Sequence, residues 1–204
     1  MRSLQILTPA RPCMFDCPFC IAKSHDHQNH FENAYATNFS FWKTQLTHVI
    51  QTHPELKTVV ITGTNEPLQD PNCVEQIIAI VRKTNPDLKI ELQTRFYAPL
   101  SLMDDCDVVA YSIASPIFFN KISVKGKISR YVILLTDQFA GYSLDQILAQ
   151  LPREVTQLTF KVLHDSQGFN SKMDDWISKH RLPDPSFFER RNKALSRTYL
   201  DFLR

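Results

Sequence analysis

Short β-branched apolar runs alternate along the chain with stretches in which apolar residues recur at helical spacing. Residues 4–7 read as a strand ending at Thr8-Pro9, and Trp42, Leu46, Val49 and Ile50 mark one face of a helix between Ser40 and Pro54. Residues 58–62 (TVVIT) are β-branched throughout, the pattern of a strand buried on both faces. Asp70 then offers an N-cap, Pro71 the first helical position, and Val74, Ile77, Ile78 and Val81 the buried stripe of a second helix. Further strands are predicted over residues 89–93, 107–113, 131–135 and 158–163, with a helical turn near 99–103 and a capping-box helix opened by Ser143 and Gln146.

Buried strands alternating with amphipathic helices predict right-handed βαβ crossovers and a parallel sheet. Six strands are too few to close a (β/α)8 barrel, so the expected fold is α/β: a partial (β/α)6 TIM-like open barrel over residues 1–165. Residues 166–204 are expected to form a C-terminal helical extension packed on that core. In it, Phe187, Phe188, Ala194, Leu195, Tyr199, Phe202 and Leu203 would line one side of a helix over 186–204. Arg190, Arg191, Lys193 and Arg197 would crowd the other. Such a helix caps the core with a solvated basic face, or meets an acidic substrate, a partner protein or RNA.

At 204 residues and 43% hydrophobic, the chain supports one substantial core. Its net charge of +2 gives no global pull toward nucleic acid or membrane. Five unevenly spaced cysteines, no signal-like apolar segment and no run long enough to span a bilayer point to a reducing, cytoplasmic setting without a membrane. With only four glycines, the connections use Pro, Asn, Asp and Ser, and the longest structureless candidate is the His- and Asn-rich stretch over residues 21–39.

Chemistry concentrates in CMFDCPFC, where Cys13, Cys17 and Cys20 follow the first strand. Three thiols within eight residues need a loop that curls around its ligand, and Pro18 disfavours helix at Cys17. The spacing points to an iron-sulfur cube. Such a cube usually takes four thiolates, and Cys73 and Cys106 stand far away in sequence, so one iron is left open. A zinc knuckle completed by His25, His27 or His30 is the competing reading, although tetrahedral zinc would leave one cysteine redundant. Those histidines otherwise read as a solvated loop, and Cys73 and Cys106 as small buried hydrophobes.

CxxxCxxC with the aromatic Phe19 before the last cysteine resembles the signature of the radical S-adenosylmethionine superfamily. The resemblance implies a 4Fe-4S cluster on Cys13, Cys17 and Cys20 and S-adenosyl-L-methionine chelated to the open iron through its amino and carboxylate groups. It places Phe19 near the adenine. Reductive cleavage would then release a 5'-deoxyadenosyl radical that abstracts hydrogen from a substrate, with an electron donor such as flavodoxin or ferredoxin.

Gly63-Thr64-Asn65-Glu66-Pro67, after the second strand, resembles the Gly-Gly-Glu-Pro type motif that holds the methionine amino group, with Thr64 and Asn65 where Gly-Gly is commonest. Glycine eases close backbone approach there, and Asn tolerates unusual φ. Family likeness also nominates Gln93, Thr94 and Ser112 for the ribose or carboxylate; the plainer reading is strand-end groups satisfying nearby backbone. Lys161 would reach the methionine carboxylate or else snorkel at the sheet edge.

The unidentified substrate is a small molecule, a nucleotide or a protein. A glycyl-radical-enzyme activase suits the size, as does a nucleotide- or small-molecule-modifying enzyme. Ile21-Ala22 differ from the acidic-Thr pair usual in the deazaguanine-forming members. From another class, the rival is a non-catalytic iron-sulfur or zinc protein that binds an acidic partner through its basic tail.

Overall fold

The six β-branched or apolar runs pair in chain order. β1 (Ser3–Thr8), β2 (Thr58–Gly63), β3 (Lys89–Thr94), β4 (Val108–Ile113), β5 (Ile128–Leu135) and β6 (Gln157–Val162) form a parallel array in which each strand lies beside its predecessor. The sheet is not closed. The computed structural model describes residues 2–8, 13–20, 39–63, 65–165, 168–169, 173–181, 186–191 and 194–197.

Parallel neighbours need crossovers. Two are the expected amphipathic helices, α1 (Phe39–Thr52) and α2 (Pro71–Thr84), and a third is the short α3 (Leu144–Gln150). Asp70 caps α2 by accepting from the Cys73 N–H at 3.2 Å, and Ser143 with Gln146 closes a capping box on α3. The other two crossovers carry 3-10 turns, Ser101–Asp105 and Pro116–Lys121, so alternation with helices holds only in outline. In the second of these, Phe119 supplies the bulk that a helix face would bring, packing against Tyr131 and Phe139.

One face of the sheet is dry. Val59, Ile61, Ile90, Leu92, Val109, Ile133 and Leu158 are buried there in one core with Leu46 and Ile50 of α1 and Val74, Ile77 and Val81 of α2. Side chains alternate along a strand, so the intervening positions lie on the other face. There Glu91 accepts from Arg130 Nη1 and from Gln93 Nε2, both at 2.9 Å, and Gln157 accepts from Arg130 Nε at 2.9 Å.

The end of the chain departs from expectation. In place of the expected basic helix over 186–204, β9 (Ser186–Arg191) pairs antiparallel with β6 and β10 (Ala194–Arg197) with β9, and the rest of that span lies outside the described residues. Phe187-Phe188 followed by Glu189-Arg190-Arg191 keeps no clean strand or helix period, and the open side of β6 supplies the partner that makes the segment a strand. Pairing of β6 with β9 runs from Gln157 to Phe160 and stops one residue short of Lys161. Two further short elements are the ribbon of β7 (His164–Asp165) with β8 (Gly168–Phe169), and α4 (Asp174–His180), a helix within the span expected as a helical extension. α4 packs on the core through Trp176, whose ring lies 5.9 Å from that of Phe160 and whose N–H donates to the Tyr142 carbonyl. Among the described residues, no helix is long and apolar enough to cross a membrane.

Candidate active site

Parallel strands all end on the same side, and the loops leaving them form a cavity of about 400 Å³. Cys13, Cys17 and Cys20 line it, with Phe15 and Phe19 from the same loop. Gly63, Asn65 and Glu66 come from the end of β2, Gln93, Thr94 and Arg95 from the end of β3, and Ser112 from β4. Thus Phe19, Gly63, Asn65, Glu66, Gln93, Thr94 and Ser112 meet the three cysteines in one place. Lys161 is exposed on β6 and is not among the lining residues. Thr64, His25, His27 and His30 lie outside the described residues.

Three contacts fix the cysteine loop. The Met14 N–H donates to Gln69 Oε1 at 2.7 Å, tying the loop to the 3-10 turn after β2. The Cys20 N–H closes a turn onto the Cys17 carbonyl at 3.2 Å. A third N–H, that of Phe15, donates to Cys13 Sγ at 3.5 Å.

Close approach of β1 and β2 explains Gly63. A Cβ there would stand 2.7 Å from both Thr8 Oγ1 and Asn65 Oδ1 and 2.9 Å from the Asn65 carbonyl. Those same two side chains meet directly, Thr8 Oγ1 donating to Asn65 Oδ1 at 3.0 Å.

Glu66 is 4% exposed and faces inward. Its carboxylate accepts from the Leu68 N–H at 3.0 Å, the Arg95 N–H at 2.8 Å and the Thr94 hydroxyl. Burial pushes its carboxyl above the ordinary range, and the three donors oppose that rise. The side chain thus clips the end of β2 to the end of β3, and the polar groups of this motif shape the cavity wall. The contact with Glu91 uses one of the two Gln93 amide N–H groups, which leaves the other N–H and the carbonyl oxygen for a ligand.

Arg95 closes the polar stretch Gln93-Thr94-Arg95 after the third strand, and its part in the site is visible only in the structure. Its guanidinium donates to Cys17 Sγ and lies over the rings of Phe15 and Phe19, 5.5 and 5.8 Å from their centroids. Burial raises the Cys17 thiol, and Arg95 pulls it back toward ionisation. The available signal was position: a lone arginine one residue past a strand whose neighbours end at a cysteine loop and a polar motif.

Cys73 and Cys106 are buried away from the cavity, and burial lifts Cys106 to about 12. Among the described residues, no three Cys, His, Asp or Glu side chains converge on a single metal ion. A cube differs in that each iron takes its own thiolate, so its sulfur ligands need only surround a common space, as Cys13, Cys17 and Cys20 do. Soft sulfur donors and a neighbouring cation suit an iron-sulfur cluster. A separate hollow of about 500 Å³ beside α2 includes Arg82, which is already paired with Asp107 at 2.8 Å.

No protein-family model matches the chain, and no curated protein matches it significantly.

Proposed function

We propose that the chain is a radical S-adenosylmethionine enzyme whose 4Fe-4S cluster rests on Cys13, Cys17 and Cys20. The observation that carries this reading is that the three cysteines, Phe19 and the polar strand ends of β2, β3 and β4 line a single cavity. With both groups bound, the cluster supplies an electron and S-adenosylmethionine supplies the 5'-deoxyadenosyl radical that takes a hydrogen atom from the substrate.

The chain's own residues divide the remaining work. Among the described lining residues, Arg95 is the only cation, which makes it a better partner for the methionine carboxylate than Lys161. Gln93, one amide N–H held by Glu91, keeps its carbonyl oxygen to accept from a ribose hydroxyl or the ammonium and its second N–H to donate. Phe19 offers an apolar face to the adenine, while Glu66 positions Thr94 and Arg95 without touching the cofactor. In this reading the open sheet is a partial (β/α)6 barrel with its site at the C-terminal strand ends. A flavodoxin- or ferredoxin-type donor reduces the cluster in a reducing cytoplasm.

Anaerobic reconstitution with iron and sulfide tests the reading. The dithionite-reduced protein should convert S-adenosylmethionine to 5'-deoxyadenosine and methionine, and Cys17→Ala should lose both cluster and cleavage. An intact cluster that never cleaves the sulfonium, or full activity in Cys17→Ala, overturns it.

A further inference from the structure

Arg95 meets the cysteine loop through one arm of its guanidinium. Nη1 donates to Cys17 Sγ, the charged group lies over the rings of Phe15 and Phe19, and Glu66 takes the Arg95 backbone N–H at 2.8 Å. We propose that Arg95 sets the reduction potential of the cluster on Cys13, Cys17 and Cys20, its charged N–H on the Cys17 sulfur making one-electron reduction easier. This rests on the cluster half of the proposed function and not on S-adenosylmethionine.

The three sulfurs are not equivalent. Among the described residues, Cys17 is the one cysteine whose sulfur accepts from a charged group, whereas Cys13 accepts from the neutral Phe15 N–H at 3.5 Å. A cluster's potential follows its net charge, the hydrogen bonds to its sulfurs and its exposure to water. Reduction takes one electron from the external donor and breaks no bond, so the protein has one extra negative charge, spread over iron and sulfur, to stabilise. A cation hydrogen-bonded to a ligand sulfur favours the more negative state, and the potential rises. Cys17 is half-buried and the guanidinium lies against two aromatic rings, which weakens solvent screening of the pair.

Arg95 is fixed at both ends before any electron arrives. Glu66, itself bonded to Leu68 and Thr94, holds its backbone, and sulfur and rings hold its tip. A cation already in place stabilises the incoming charge without reorganising. A guanidinium carries five N–H donors in a planar fork, so giving one to sulfur leaves others for the methionine carboxylate.

A potentiometric titration of the anaerobically reconstituted full chain, followed by EPR without S-adenosylmethionine, tests this. Arg95→Met should make reduction at least about tenfold less favourable, a fall of about 59 mV for one electron, as loss of a charge-assisted hydrogen bond warrants. Arg95→Lys, which keeps the charge, should restore part of that loss, and Arg95→Gln, which keeps an N–H without the charge, should restore less. A structural role alone would lower iron content or melting temperature and leave the potential of the cluster that formed unmoved. The proposal is overturned if Arg95→Met with full iron content titrates as wild type does, if its potential rises, or if Arg95→Lys titrates no higher than Arg95→Gln. Should Arg95→Met take up no cluster, the order of the Lys and Gln variants decides. A wild-type chain that takes up no cluster overturns this proposal and the proposed function together. A cluster tuned by Arg95 in a chain that never cleaves S-adenosylmethionine would sink the proposed function and leave this role standing; cleavage with a potential that no Arg95 substitution moves would do the opposite.

Discussion

The hydroxyl of Thr94 donates to the buried carboxylate of Glu66, joining the ends of β3 and β2 in the cavity wall. Thr94 Oγ1 in turn accepts from the Phe96 N–H at 2.8 Å, so the Glu66 clip also shapes the chain after β3. Glu66→Gln sets an amide N–H against one of three donors, and a mispaired buried group costs roughly 1–3 kcal/mol. The folded carboxyl sits above its ordinary value because of burial. Its contribution is therefore fully present below the ordinary carboxylate range and is lost as pH rises through the folded value. Urea unfolding of wild type and Glu66→Gln from about pH 4 to about pH 7 should show wild type ahead in acid and the gap narrowing toward neutrality. A gap that widens with pH would mean that the three donors outweigh burial.

Gly63 is set by space and not by a left-handed backbone. Two of the atoms a Cβ would strike are side-chain ends, but the third is the Asn65 carbonyl, and backbone yields less readily. Gly63→Ala should cost about 1–3 kcal/mol, as overpacking does, and should part Thr8 from Asn65. Thermal melting checks the first effect. An alanine variant as stable as wild type would show that the ends of β1 and β2 separate freely.

The strands were legible because each is a short run with β-branched or apolar residues, and the caps because Asp70-Pro71 and Ser143 with Gln146 are local signals that need no tertiary partner. Meeting points such as Arg95 with Cys17 were not legible. They depend on which strand ends face each other across the sheet, and residue spacing within one segment carries no such information. Residues 186–197 failed for a related reason: Phe187-Phe188 followed by Glu189-Arg190-Arg191 carries no clean strand period, and the free side of β6 made the segment a strand. The cysteine motif stands apart, since its spacing alone implied a loop around a shared space.

Arg130 and Glu91 make the ion pair of the polar sheet face, at 2.9 Å with side chains only 13% and 11% exposed. Removing one partner strands the other charge, which costs roughly 3–5 kcal/mol. Arg130→Met and Glu91→Leu alone should therefore destabilise strongly, while the double variant should recover most of the loss. Chemical unfolding of the four proteins gives the coupling. The Arg130→Met variant should also free Glu91 to pull on Gln93 alone, so S-adenosylmethionine affinity is expected to fall before stability fails. Strictly additive single effects would show that the pair is solvated and contributes little.

β9 covers β6 along the register Gln157 to Glu189, Leu158 to Phe188, Thr159 to Phe187 and Phe160 to Ser186. Deleting residues 186–204 would leave β6 as an open edge next to the fully buried Leu158 and Phe160, and an unpaired apolar edge invites association. The truncated chain should melt several degrees lower, about 2–4 °C for each kcal/mol lost in a protein of this size. It should also elute as oligomers in size-exclusion chromatography. Cofactor cleavage should suffer less, because among the described residues none of those deleted lines the cysteine cavity. Phe187→Pro offers a milder version, since proline removes a donor from the middle of β9 without deleting its charge. Should the truncated chain stay monomeric and melt as before, β9 would contribute nothing to the sheet, and its arginines would be free to serve an acidic partner instead.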